Sequence, residues 1–92
     1  MSERCARVQI VNERGLHARA SAQFVNLVTS KYDHLAIKVS KDSTEAAGGS
    51  ILGLMMLGAA RGDEIEIRVE GDGAEAALED LAGLVRGGFG EP

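Results

Sequence analysis

Residues 64–70 read EIEIRVE, the most regular stretch of the sequence. Its three apolar residues alternate with charged ones, and this period of two is typical of a β-strand with one buried and one solvated face. The Gly-Asp-Gly run at 71–73 then predicts a break, after which the period becomes helical. The apolar positions of this amphipathic helix are Ala77, Leu78, Leu81, Leu84 and Val85.

Local residue types predict where this last helix begins and ends. Asp72, followed three residues later by Glu75, resembles a capping box and predicts the start of the helix. Gly87 and Gly88 end it. The remaining residues, 87–92, are expected to form a loose tail.

The same two periodicities recur toward the N-terminus. The predicted strands cover residues 6–10, 35–40 and roughly 43–47. A helical stripe of Phe24, Val25 and Val28 predicts a helix over residues 18–29. Ser50 is a good N-cap for a short helix that runs to about residue 57 and stops at Gly58. The predicted order of elements is therefore β-α-β-β-α-β-α.

Every predicted strand has one apolar and one polar face. This pattern favours an antiparallel sheet with helices on one face and solvent on the other, the arrangement of a two-layer, open-faced α+β sandwich. A chain of 92 residues supports one hydrophobic core, so a single domain over residues 1–92 is expected, with its core at about 4–86.

Composition excludes several classes of protein. The formal net charge is −4 and the pI about 5.1, with no basic stripe, so nucleic acid is not an expected partner. The single cysteine, Cys5, excludes a disulfide-stapled secreted scaffold. Residues 1–6 lack the apolar run of a signal peptide, and the apolar stretch 51–60 is too short to span a bilayer. We expect a cytoplasmic protein without a cofactor.

The run Gly15-Leu16-His17-Ala18-Arg19 places a histidine where a helix begins. A helix N-terminus has unpaired N–H groups and a partial positive charge, and it binds anions such as phosphate readily. Arg19 adds a guanidinium group suited to phosphate oxygens, and Arg14 is a second nearby cation. His17 is the natural nucleophile in such a place, because a neutral imidazole can attack phosphorus without a separate base.

Other interpretations of these residues stay open at this point. His17 and Arg19 could be ordinary surface residues that are neighbours by chance. Ser21, four residues after His17, could share a helix face with it, but a hydrolase also needs an orienting acid and an oxyanion hole. His34 lies in a polar connection and is expected to be solvated. Together with Cys5, the two histidines match no zinc spacing, so no metal site is expected.

The segment 50–58, Ser-Ile-Leu-Gly-Leu-Met-Met-Leu-Gly, is apolar nearly all the way round its predicted helix. A short helix buries only one stripe, so some of these side chains are expected to be exposed. Exposed apolar patches mark interaction sites, and methionine suits a surface that meets several partners.

The histidine run and the segment 50–58 together resemble HPr, the histidine-containing phosphocarrier of the phosphoenolpyruvate-dependent phosphotransferase system. The resemblance covers roughly residues 4–86, and the order of elements is also the family's. It implies a four-stranded antiparallel sheet with three helices on one side. It further implies a phosphoryl carrier rather than an enzyme.

The resemblance also implies a role for individual residues. His17 would be phosphorylated on Nδ1 by phosphorylated enzyme I and donate to an enzyme II A component, with Arg19 steadying the phosphoryl group. Ser50 matches the serine that a dedicated HPr kinase phosphorylates in many members. Partners would dock on the apolar residues together with the flanks of the histidine, and a monomer is expected. The residues that match this docking surface are Ile51, Leu52, Met55, Arg14 and Ala20.

One departure from the family pattern follows the arginine. Members usually have Pro-Ala there, whereas this chain has Ala20 and Ser21. Proline suits the first turn of a helix because its missing N–H needs no partner there. The variant pair resembles the regulatory, nitrogen-related branch of the system more than a dedicated sugar-uptake carrier.

Two alternatives come from other functional classes. The first is a purely regulatory interaction protein that works through Ser50 and the apolar segment, although the presence of both His17 and Arg19 speaks against it. The second is a module that binds a small ligand, although the sequence offers no candidate pocket.

Overall fold

The EIEIRVE stretch forms an interior strand of a four-stranded antiparallel sheet, in a computed structural model that describes residues 3–92. The predicted order β-α-β-β-α-β-α and the predicted fold class are confirmed. The elements are β1 (Glu3–Gln9), α1 (Ala18–Lys31), β2 (Ala36–Lys41), β3 (Thr44–Ala47), α2 (Ile51–Met56), β4 (Glu64–Glu70) and α3 (Ala74–Arg86), with a 3-10 turn at Gly88–Gly90.

The strands lie in the order β1-β4-β2-β3, and their register brings the apolar residues to one face. Ile67 pairs with Ala6 on one side and with Val39 on the other, while Ile65 pairs with Val8. Ile67 and Val39 are fully buried beneath the helices. The helix α3 packs against β1 and β4, and α1 contacts both α2 and α3.

The opposite face of the sheet is polar. It carries exposed ion pairs, such as Arg7 with Glu64 at 3.6 Å and Lys38 with Glu45 at 3.5 Å. Exposed pairs of this kind contribute at most about 1 kcal/mol each to the free energy of unfolding. The stability of the fold therefore comes from the face that the helices cover.

Two predictions of element ends need correction. The strand β1 begins at Glu3 rather than at residue 6, because residues 3–5 pair with β4 although they lack an apolar alternation. The capping box predicted at Asp72 is wrong. Gly73 is the N-cap of α3, with a left-handed φ of 85°, and no side chain caps the helix. Glycine takes this conformation without steric strain, so the backbone alone turns into the helix.

The prediction of a loose tail at residues 87–92 is also wrong. The 3-10 turn places Phe89 in the hydrophobic core, where it is 4% exposed. The Phe89 carbonyl accepts a hydrogen bond from Gln23 Nε2 at 3.1 Å, and the Pro92 oxygen accepts one from the Glu13 N–H at 2.9 Å. The C-terminal segment is thus held against α1 and the loop that precedes it.

A separate observation concerns membranes. None of the helices in residues 3–92 combines the length and the apolar character needed to cross a bilayer.

Candidate functional site

The loop between β1 and α1 is fixed by a close approach to the segment before β4. Gly15 has a φ of 62°, and a Cβ at this position would lie 2.3 Å from the Ala59 carbonyl oxygen. The next residue, Leu16, donates its N–H to the same oxygen at 3.0 Å. Only glycine fits this approach, because any side chain would meet backbone atoms that cannot move aside.

The segment that carries Ala59 is itself braced. Asp63 accepts the Ala60 N–H at 2.9 Å through its carboxylate and the Lys41 ammonium at 3.2 Å. The backbone hydrogen bond first, and Lys41 second, lower the pKa of Asp63, so the bracing carboxylate is ionised at neutral pH. The Asp63 carbonyl also accepts the Ile10 N–H at 2.8 Å, which ties the turn to the end of β1.

His17 is the N-cap residue of α1, as its position in the sequence predicts. Its backbone is extended, with φ −74° and ψ −178°, and its carbonyl accepts the first helical hydrogen bond from Ser21 at 2.9 Å. No side chain caps the helix and its first turn contains no acidic residue. The start of α1 therefore presents its partial positive charge next to the His17 ring.

The His17 ring is not freely exposed. Its side chain is 14% accessible, and Nε2 lies 2.7 Å from Glu91 Oε1. The Asn12 side-chain amide donates to the same oxygen at 3.0 Å and to the Gly15 carbonyl at 2.9 Å. Hydrogen bonds from Asn12 and then from His17 lower the pKa of Glu91, and the nearby charge of Arg14 acts in the same direction.

Sequence reasoning missed both Glu91 and Asn12. Glu91 belongs to the segment predicted to be loose, and it lies 74 residues from His17 in the chain. One signal in the sequence pointed to an ordered segment. Phe89 is an isolated aromatic residue in a glycine-rich run, and such a side chain indicates that the segment is attached to the core.

The two predicted cations lie on the surface beside the histidine. Arg19 is exposed on the first turn of α1, and Arg14 is exposed in the preceding loop. Arg19 also borders a shallow depression whose wall includes Val25 of α1 and Ile51 of α2. This depression runs along α1 from Arg19 and reaches α2 at Ile51.

The two residues that follow Arg19 in the chain are buried. Ala20 has no accessible surface, so its prediction as a partner-binding residue is wrong: the side chain packs into the core. Ser21 is equally buried, and its hydroxyl donates to the Leu16 carbonyl at 3.1 Å rather than joining His17. The hydroxyl is therefore not placed as a nucleophile.

Ser50 caps α2 as predicted: its Oγ accepts the Gly53 N–H at 2.9 Å. The expected exposure of the following apolar residues is confirmed, whereas Leu54 and Leu57 point into the core. We call the exposed residues of α2 the apolar surface: Ile51 (41% exposed), Leu52 (66%), Met55 (40%) and Met56 (72%). Met56 is the most exposed of them and was not among the residues predicted from the sequence.

The other candidate residues lie apart from this site. His34 is exposed in the turn before β2, and Cys5 is exposed on β1 with a free thiol. In residues 3–92, no three histidine, cysteine or acidic side chains are grouped in a way that could hold a metal ion.

Comparison with known proteins agrees with this geometry. Residues 5–86 match the family described as PTS HPr component phosphorylation site. The chain belongs to the HPr family. It is accordingly a phosphocarrier of the phosphotransferase system, a carrier of phosphoryl groups rather than an enzyme.

The relatives described below carry two names, HPr and NPr. The phosphocarrier protein HPr of Neisseria meningitidis is 40% identical over 84 residues, which cover 91% of this chain and 92% of the relative. The phosphocarrier protein NPr of Escherichia coli K12 is 33% identical over the same shares of the two chains. A crystal structure of HPr-C-His from Thermoanaerobacter tengcongensis superimposes with a TM-score of 0.87 at 36% identity, covering 100% of this chain and 99% of that one.

The contact at Gly15 generates a prediction about stability. Gly15→Ala should lower the free energy of unfolding by about 2 kcal/mol or more, because a strained backbone conformation is forced against the Ala59 carbonyl. Urea denaturation measures this change. The matched control is Gly83→Ala in α3, where nothing lies within 4 Å of the added methyl group.

The control should leave stability unchanged or raise it by about 1 kcal/mol, because alanine is the better helix former. Equal stabilities of the two variants would contradict the assigned role of Gly15.

Proposed function

We propose that His17 accepts a phosphoryl group on Nδ1 from phosphorylated enzyme I and donates it to an enzyme II A component. The observation that carries this proposal is the position of the His17 ring at the uncapped start of α1. The unpaired N–H groups of the first turn favour an arriving anion. Membership of the HPr family supplies the two protein partners.

The electrostatics around the ring support transfer of an anionic group. Arg14, in the loop before α1, and Arg19, in its first turn, are both exposed, in a chain whose formal net charge is −4. Their charges add to the partial positive charge of the helix terminus. A phosphoryl group is therefore attracted to this part of the surface and not to the acidic remainder.

The apolar surface supports docking of the partner proteins. Its four side chains are exposed on a short helix, and the depression beside Ile51 leads to Arg19. A partner that covers the apolar surface is therefore brought close to the His17 ring. Burial of these apolar side chains against a partner protein favours binding. The two arginines make that binding selective for partners that carry an anionic group.

The first test is to label the protein. Incubation with phosphoenolpyruvate and enzyme I should add one phosphoryl group, measured by intact mass, and the bond should be acid-labile and alkali-stable. His17→Ala should not be labelled, whereas the control His34→Ala, which removes an exposed imidazole elsewhere, should be labelled as in the wild type. Undiminished labelling of His17→Ala would refute the assignment.

The second test concerns Arg19. Arg19→Ala should slow phosphoryl transfer about a hundredfold, because it removes a cation that stabilises developing negative charge. Arg19→Lys should recover only part of the rate, since a point charge replaces a fork of donors. Rapid-quench kinetics measure the effect, with Arg68→Ala on the solvated face of the sheet as the control. Wild-type rates in Arg19→Ala are the contrary result.

We further propose that phosphorylation of Ser50 by an HPr kinase inhibits docking. Ser50 adjoins Ile51 and Leu52, so a phosphoserine charge of about −1.5 to −2 would stand at the edge of the apolar surface. A docking partner would have to remove water from this charge, which is costly unless the partner supplies a cation.

Substitutions at Ser50 separate this effect from the capping role. Ser50→Asp should keep its melting temperature, because aspartate also caps helices, but should accept phosphoryl groups from enzyme I more slowly. Ser50→Ala should lose about 1 kcal/mol of stability, since the cap is removed, and should transfer normally. If Ser50→Asp melts at a much lower temperature but transfers phosphoryl groups at the normal rate, the role of Ser50 is that of a structural cap only.

A further inference from the structure

The C-terminal segment places a carboxylate, that of Glu91, against the His17 ring. This segment lies outside the part of the chain that matches the HPr family. Glu91 is held in place on both sides: Phe89 is anchored in the core, and the Pro92 oxygen accepts the Glu13 N–H. Its Oε1 then lies 3.0 Å from the side-chain nitrogen of Asn12 and 2.7 Å from Nε2 of His17. The carboxylate is thus fixed in position before any phosphoryl donor arrives.

The hydrogen bonds decide which ring nitrogen carries the proton. The Asn12 nitrogen faces two acceptors, the Gly15 carbonyl and the Glu91 carboxylate, so it must be the NH₂ group and both of its hydrogens are used. The lowered pKa of Glu91 keeps its carboxylate ionised, and an ionised carboxylate can only accept. His17 Nε2 must therefore be the donor in its contact with Glu91.

A neutral imidazole has a single N–H, so a proton on Nε2 leaves the lone pair on Nδ1. Within residues 3–92, Nδ1 has no hydrogen-bond partner. We propose that Glu91 is a positioning residue of phosphoryl transfer, which holds the proton on His17 Nε2 and keeps the Nδ1 lone pair available for attack. This inference rests on the proposed role of His17 Nδ1 as the phosphoryl acceptor.

In this arrangement the bonds, the electron pairs and the proton of the transfer step are all accounted for. The Nδ1 lone pair forms the N–P bond while the bond between phosphorus and the donor breaks, and the donor atom keeps that electron pair. The proton stays on Nε2, so the ring becomes cationic as the phosphoryl group arrives. The Glu91 carboxylate, 2.7 Å from Nε2, stabilises that cation as the orienting carboxylate does in a catalytic triad. Donation to the next protein reverses these changes.

A carboxylate near the site also repels an anionic phosphoryl group, and the geometry limits this repulsion. Glu91 contacts Nε2, whereas the phosphoryl group is proposed to bind Nδ1, so the ring lies between the two charges. The cations Arg14 and Arg19 and the start of α1 offset what remains of the repulsion.

The first experiment observes the proton directly. The full chain is labelled with ¹⁵N-histidine and compared with Glu91→Ala, Glu91→Gln and the control Glu79→Ala, which changes an exposed glutamate of α3. At mildly alkaline pH, His17 of the wild type should show a single tautomer and a Nε2–H proton protected from exchange with water. His34, which is exposed, provides a free imidazole in the same spectrum for comparison.

Glu91→Ala should lose the protected proton, and its His17 signals should move toward those of His34. Glu91→Gln keeps an oxygen acceptor without the charge and should lie between the wild type and Glu91→Ala. The control should match the wild type. A Nδ1–H tautomer in the wild type, or no change of His17 signals in Glu91→Ala, would overturn the proposal.

The second experiment measures transfer from phosphorylated enzyme I with the carrier as substrate. Glu91→Ala should lower kcat about tenfold, the lower end of the loss that follows removal of a carboxylate behind a metal-bound histidine. The KM should stay close to that of the wild type, because the apolar surface is untouched, and Glu79→Ala should transfer normally. Transfer in Glu91→Ala that equals or exceeds the wild-type rate would also overturn the proposal.

The two proposals fail in different ways. A wild-type protein that takes no phosphoryl group refutes the proposed function and with it any part for Glu91 in transfer. A wild type that is labelled on His17, together with an unchanged rate in Glu91→Ala, refutes the role of Glu91 alone.

Discussion

The close packing of Gly15 against the Ala59 carbonyl is the contact on which the site depends. It joins the loop that follows β1 to the turn that precedes β4, and these two strands pair with each other in the sheet. The hydrogen bond from Leu16 to the same carbonyl fixes the chain one residue before the histidine. The direction of α1 and the position of the His17 ring both follow from this contact.

From that position the ring is surrounded by charges of both signs. The start of α1 is positive, and so are Arg14 and Arg19, which are exposed in the preceding loop and in the first turn of the helix. The Glu91 carboxylate lies against Nε2 and is held there by Asn12 and by the anchored segment around it. Of the two nitrogens of the ring, Nε2 is the one that contacts this carboxylate.

The sequence predicted those features that are encoded by neighbouring residues. The alternation at residues 64–70 and the serine before α2 both depend on local periodicity or local capping, and both predictions are confirmed. Asp72 failed as a cap because Gly73 makes the turn with its backbone conformation, which no side-chain pattern records. Ala20 failed as a contact residue because the same helix turn that exposes Arg19 directs it into the core.

Glu91 and Asn12 could not be predicted in the same way. Asn12 and His17 both contact Glu91, which lies 79 and 74 residues from them in the chain, and these contacts depend on where Phe89 enters the core. Glycine on both sides of Phe89 is typical of flexible segments, but here Phe89 takes a left-handed φ of 56° and its ring is buried in the core. Whether this glycine-rich segment is flexible or ordered depends on the packing of Phe89 in the complete fold.

The pairing of β1 with β4 also has a consequence for folding kinetics. The first and last strands of the sheet in chain order are neighbours, so the chain between them must be closed into a loop before β1 can pair with β4. Pairings of such high contact order slow folding. The Gly15 contact joins the segments after β1 and before β4, and the Glu91 contact adds the segment after α3, so the histidine acquires its surroundings only when these parts of the chain have docked. In a nascent or partly unfolded chain the His17 ring therefore lacks both the Glu91 carboxylate and the helix terminus beside it, and the surroundings of the ring are a property of the completed fold.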